Sequence, residues 1–147
     1  MKEKLFLPIW FSLSLFALAV LLFVLFYTYG GFTSLMWAVA IPLGLIVFLN
    51  VEVNYLDNEV VGKIMWFTVF NIKYSEIKSV NFERVNFFRQ FWGFGYRLGF
   101  NGARALCTHF SAEALIIEMK NSKIKFYIQV VNKQQIETHI ASKVKIF

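Results

Sequence analysis

The sequence predicts a membrane-embedded helical hairpin followed by a β-rich domain, with six or seven antiparallel strands in a small barrel or sandwich and one C-terminal helix. Three observations carry that expectation. Two uncharged apolar runs occupy residues 5–29 and 32–51. Most of the chain beyond residue 51 alternates apolar and polar residues, the period of a half-buried strand. The closing stretch changes to a spacing of four, the period of an amphipathic helix.

The hairpin is argued from length and charge. A 147-residue chain that is 58% hydrophobic, with a mean hydropathy of +0.56, is more apolar than an ordinary soluble domain. Each run meets the requirement of about 20 apolar residues for a spanning helix. Met1-Lys2-Glu3-Lys4 resembles the basic start of a signal peptide, but the apolar run exceeds the usual ~7–15 residues. A retained helix is therefore expected. The connector Gly30-Gly31-Phe32-Thr33-Ser34 is short and uncharged, while Lys2, Lys4 and Lys63 flank the two runs. The positive-inside rule then places both termini in the cytoplasm of an inner-membrane protein. Tyr27, Tyr29, Trp37 and Trp10 fall where aromatic belts form.

Pro8 suits the first turn of the first helix, and Pro42 should bend the second. Ala40 and Gly44 form a small-x-x-x-small pair, a candidate site for close helix packing within the chain or between copies. The domain division expected is 1–50 for the hairpin and 51–147 for a cytoplasmic β domain. Cys107 is the sole cysteine, which excludes an intrachain disulfide and agrees with a reducing compartment.

Within the β domain, Val51, Val53 and Tyr55 alternate with Glu52 and Asn54 before a turn at Asp57-Asn58-Glu59. Residues 60–70 and 77–85 read as further strands. Asn101-Gly102 is a hairpin-turn dipeptide, because it readily supplies the positive φ values of a type I′ turn. Residues 114–119 and 124–130 flank the polar turn Lys120-Asn121-Ser122, and Ile124, Phe126, Ile128 and Val130 share one strand face. Asn132 is a suitable N-cap for a helix carrying Ile136, Ile140 and Val144 on one side.

These features resemble the membrane-anchored pleckstrin-homology-like (PH-like) proteins of bacteria. The resemblance rests on Val51-Glu52-Val53 before a turn, Tyr74-Ser75-Glu76-Ile77-Lys78-Ser79-Val80, Trp92-Gly93-Phe94-Gly95-Tyr96-Arg97 followed by Gly102, and Phe126-Tyr127-Ile128-Gln129-Val130 with its helix. It implies a PH-like barrel and a binding or scaffold role. The basic first loop of phosphoinositide-binding members is absent, since Asp57-Asn58-Glu59 is acidic.

The catalytic and cofactor motifs weighed against the sequence do not fit it. In Gly93-x-Gly95 the third glycine of a dinucleotide loop would fall at Leu98, and no amphipathic helix follows. Cys107-x-His109 supplies two metal ligands where a site needs three or four. Glutamates are scattered singly, without a nucleophile–base pairing, so no catalysis and no cofactor is expected. Arg89, Arg97 and Arg104 interleave with aromatic rings in the manner of a single-strand platform, but period two puts Trp92, Phe94 and Tyr96 on one face, where core packing is the simpler role. No nucleic-acid partner is expected.

Charge points elsewhere. Setting aside Lys2, Lys4 and Glu3 reduces the net charge of +6 to +5 beyond residue 50. Lys73, Lys78, Arg84, Arg89 and Arg97 are candidates for contact with the lipid bilayer or a protein partner. The function expected is a non-catalytic, membrane-anchored binding or scaffold module, with an accessory subunit of a larger membrane enzyme or transporter as the alternative. A homo-oligomer or a larger membrane protein is the expected assembly.

Overall fold

The computed structural model describes residues 1–28, 50–92, 95–99 and 102–144. The chain divides into two compact units, Leu7–Leu49 and a β-rich unit that joins Met1–Phe6 to Asn50–Phe147. In the first unit, helix α1 spans Ile9–Thr28. Pro8 precedes it, and its carbonyl accepts the N–H groups of Phe11 and Ser12 at 3.0 and 3.1 Å. Proline is tolerated there because its missing N–H has no partner in a first turn anyway. Leu13, Phe16, Val20, Leu21 and Val24 are all exposed, so the helix is apolar around its circumference.

Among the described residues no helix is long and apolar enough to cross a membrane. The expected helical hairpin is corrected accordingly, together with the integral inner-membrane placement and the cytoplasmic topology built on it. Part of the first apolar run is consumed by β1, Lys2–Leu5, which pairs with a later strand. Within α1, Trp10, Ser12, Ser14, Tyr27 and Thr28 place polar atoms near both ends. The second run falls almost entirely outside the described residues, with Pro42 and the Ala40–Gly44 pair, and its last residue, Val51, opens a strand.

Among the described residues the β-rich unit contains nine strands in two sheets. In the first sheet, β1 is followed by β2 (Val51–Tyr55), β3 (Glu59–Ile64) and β4 (Phe67–Lys73), all antiparallel neighbours in that order. The second comprises β5 (Ile77–Asn86), β6 (Gly95–Leu98), β7 (Arg104–Cys107), β8 (Ser111–Met119) and β9 (Lys125–Gln129), in the order β5-β8-β9-β7-β6. Its β7–β9 pairing is parallel. The expected single barrel or sandwich of six or seven antiparallel strands is thus corrected to two open sheets of four and five strands, one of them mixed.

Alternation decides what is buried. Val51, Val53 and Tyr55 point into the main core beside Val60 and Ile72, and Val80, Leu115, Ile117 and Ile128 meet them from the second sheet. The C-terminal helix α3, Lys133–Ala141, adds Ile136 and Ile140 to that core. A second cluster, with Val85, Ala105, Cys107, Ala114 and Ile116, is completed by Phe87 and Phe91 from the short helix α2, Phe87–Phe91. Strand β8 therefore buries residues on both faces. Its Ala114-Leu115-Ile116-Ile117 run has no polar alternation for that reason.

Helix α2 also changes the expected role of the aromatic segment around Trp92. The Asn86 carboxamide oxygen accepts the Arg89 N–H at 3.0 Å and starts a helix, which Trp92 ends in a left-handed conformation at φ 56°. Trp92 is 76% exposed and does not join the core. Tyr96 is half-buried, 6.4 Å from the Phe70 ring centre, and Phe94 lies outside the described residues. Strands β6 and β7 form a hairpin around Gly102 at φ 76°, closed by the Gly99 N–H donating to the Ala103 carbonyl at 2.7 Å.

Candidate functional site

Chemistry-bearing side chains converge at the end of the β-rich unit where β8 turns into β9. A register shift between Ile77 and Ser79 leaves Lys78 outside the regular pairing of β5 with β8. The turn itself is tied down twice: Lys120 donates its backbone N–H to the Glu76 carbonyl at 2.8 Å and its ammonium to the Ser75 carbonyl at 2.7 Å. Ser122 Oγ accepts the Ile124 N–H at 3.1 Å. Lys78, Lys120, Asn121, Ser122, Lys123 and Lys125 line an open groove of about 610 Å³. Four lysines face a single carboxylate there, Glu118.

Glu118 is already engaged. Its Oε1 pairs with Lys125 Nζ at 2.5 Å, and its Oε2 accepts Ser79 Oγ at 3.2 Å. Hydrogen bonds from Lys125 and then Ser79 hold the Glu118 carboxyl below its ordinary range, and the same contact raises Lys125. Both groups are solvated, so the pair orients the lysine more than it stabilises the fold. Among the described residues, Lys78 and Lys123 make no ion pair and no side-chain hydrogen bond, although the charge of Lys78 is near enough to Glu118 to help lower its carboxyl.

An adjoining hollow of about 330 Å³ extends the basic surface, sharing Lys78 and Lys120 and adding Lys143. Lys143 donates to the Asp57 carbonyl at 2.7 Å and to Asp57 Oδ1 at 3.3 Å, and its ammonium lies 5.3 Å from the Tyr74 ring centre. Burial, and then the nearby charge of Asp57, push the Tyr74 hydroxyl up to about 12, so it stays neutral.

Of the five basic residues proposed from sequence, the structure places only Lys78 in this groove. Lys73 ends β4 outside the lining, Arg84 lies opposite Glu113 in the β5–β8 register, Arg89 belongs to α2, and Arg97 is exposed on β6. Lys120, Lys123, Lys125 and Lys143 are the residues that sequence reading missed. Their signal was the run Lys120-Asn121-Ser122-Lys123-Ile124-Lys125, which compresses three lysines into one hairpin turn.

Elsewhere, polar groups serve the fold. Gln129 is buried and its Oε1 accepts the backbone N–H groups of Thr108 and His109 at 2.7 and 3.0 Å, while its Nε2 donates to His109 Nδ1 at 2.9 Å. That donation makes Nδ1 the acceptor and leaves the ring proton on Nε2. Burial pushes the Cys107 thiol up to about 12, against a smaller lowering by Arg97, which is the opposite of what a nucleophile needs. No group of three His, Cys, Asp or Glu residues suited to a metal occurs among the described residues.

Glu3 replaces the cap expected from Asn132. The Asn132 side chain makes no cap hydrogen bond, and Glu3 Oε1 accepts the Asn132 N–H at 3.0 Å from the far end of the sequence. Its Oε2 is buried without a hydrogen-bond partner, as is the hydroxyl of Tyr55. Burial raises the Glu3 carboxyl above its usual 4.5, outweighing the backbone hydrogen bonds that lower it. A carboxyl with a raised folded-state value contributes stability that is complete below 4.5 and lost as pH rises through the folded value. Glu3→Gln should therefore flatten the difference in urea-unfolding free energy between about pH 4 and pH 7 relative to the parent. An unchanged difference would remove Glu3 from the pH response.

No family model matches the chain, nor does any curated protein or solved structure.

Proposed function

We propose that this protein is a non-catalytic binding module that engages an anionic partner through the lysine-lined end of its β-rich unit. The observation that carries this reading is the convergence of Lys78, Lys120, Lys123 and Lys125 around one groove in which the lining carboxylate, Glu118, is already paired. A groove rimmed by several cations attracts an anion through their summed field. The inert Cys107 and the structural hydrogen bonding of His109 support a role without covalent chemistry.

The expected result is that the purified full chain sediments with phosphatidylcholine vesicles containing phosphatidylserine and not with phosphatidylcholine alone. Raising salt should weaken the association, because the Debye length contracts from about 10 Å at 0.1 M to about 3 Å at 1 M. Lys78→Glu with Lys123→Glu should abolish most of it. Binding insensitive to both salt and these changes would sink the reading.

A second reading has its own support in the apolar surface. In the β-rich unit, Trp66 and Phe67 are 72% and 63% exposed at the β3–β4 turn. Such surface favours an accessory subunit that buries it against a larger protein. Stoichiometric co-purification of one larger partner in mild detergent would favour this reading over the first.

A further inference from the structure

We infer that the groove at the β8–β9 turn is a phosphate-monoester site. This rests on the binding-module reading above and adds the chemical class of the ligand and its location. Among the described residues Lys78 and Lys123 supply two ammonium groups held by no ion pair or hydrogen bond, Lys120 and Lys125 line the same groove, and Asn121 and Ser122 add short polar side chains at the same turn. A single carboxylate would neutralise one of these charges, whereas a phosphate monoester brings close to two charges and three acceptor oxygens.

The groove is prepared before a ligand arrives. Lys120 is braced on the Ser75 carbonyl and Lys125 on Glu118, so half of the lysines have already lost much of their side-chain freedom. Glu118 points its two oxygens at Lys125 and Ser79, which limits its repulsion of an incoming anion. The groove's volume of about 610 Å³ accommodates a small phosphorylated molecule or a lipid headgroup, and both present the same chemistry. By contrast the Asp57 turn offers a carboxylate paired with Lys143.

The test uses the full chain and three probes: inorganic pyrophosphate, phosphatidylcholine vesicles with phosphatidic acid, and phosphatidylcholine vesicles with phosphatidylserine at equal surface charge. Pyrophosphate should bind in calorimetry and displace the protein from phosphatidic acid vesicles, with at least a tenfold loss of its affinity in Lys78→Gln with Lys123→Gln. Lys73→Gln, outside the groove, should leave the affinity unchanged. Preference for phosphatidic acid over phosphatidylserine assigns the phosphate to a lipid headgroup, and pyrophosphate binding without that preference assigns it to a soluble ligand; either outcome supports the site. Salt-sensitive phosphatidylserine binding with no response to pyrophosphate would overturn the phosphate site and leave the module reading standing. Failure of all three probes would overturn both.

Discussion

Replacing Gly62 by valine is expected to destabilise the β-rich unit by about 3 kcal/mol, because the added atoms displace a buried aromatic ring. The Phe70 ring lies across Gly62 on the neighbouring strand: a β-carbon there overlaps Cε1 and comes within 2.5 Å of Cζ. Phe70 cannot swing away freely. It is 7% exposed and packs 5.4 Å from the Phe126 ring centre and 6.4 Å from that of Tyr96, so its ring bridges the two sheets. For a chain of this size, a loss of about 3 kcal/mol lowers the melting temperature by roughly 10 °C. Gly62→Ala should fall between the parent and the valine variant, and adding Phe70→Leu to Gly62→Val should recover part of the loss. A valine variant that melts with the parent would show that the ring moves without cost.

Gln129→Leu is expected to cost a similar amount for a different reason. Leucine fills most of the volume of glutamine but strands the N–H groups of Thr108 and His109, which both donate to the Gln129 oxygen. Each buried donor left without a partner costs about 1–3 kcal/mol, so a total near 3 kcal/mol is expected in urea unfolding. The loss should be local as well as global, with faster hydrogen exchange at the amides of Thr108 and His109 while those in β8 keep their relative order. Gln129→Glu retains the acceptor oxygens and should preserve those two bonds, although it introduces a buried charge. If leucine leaves both amides as protected as before, another acceptor must serve them.

Much of the β-rich unit is visible in its periodicity, since Val51, Val53 and Tyr55, and later Phe126 and Ile128, are buried at every second position. The spacing of Ile136 and Ile140 likewise marks the buried side of α3. The first strand was hidden because Lys2-Glu3-Lys4-Leu5 looks like a charged leader. It becomes a strand by pairing with residues 51–54, a partnership that no local pattern announces. Helix α2 was hidden for a related reason. Phe87-Phe88-Arg89-Gln90-Phe91 has the bulky residues of a strand, and it is helical because Asn86 caps it and Phe87 and Phe91, four apart, meet the second core cluster.

The candidate site divides along the same line. Lys78 was visible as a charge on a strand, whereas the association of Lys120, Lys123 and Lys125 with it depends on how β5 and β8 align. Sequence by itself determined which residues alternate, which face of the last helix is apolar, and where cations outnumber anions. Tertiary structure alone decided that the apolar start yields a strand and one described helix, that the strands separate into two sheets, and that four lysines share a groove. The physical reason is range: propensity and periodicity act over a few neighbours, while strand pairing, burial and the clustering of like charges are set by residues dozens of positions apart.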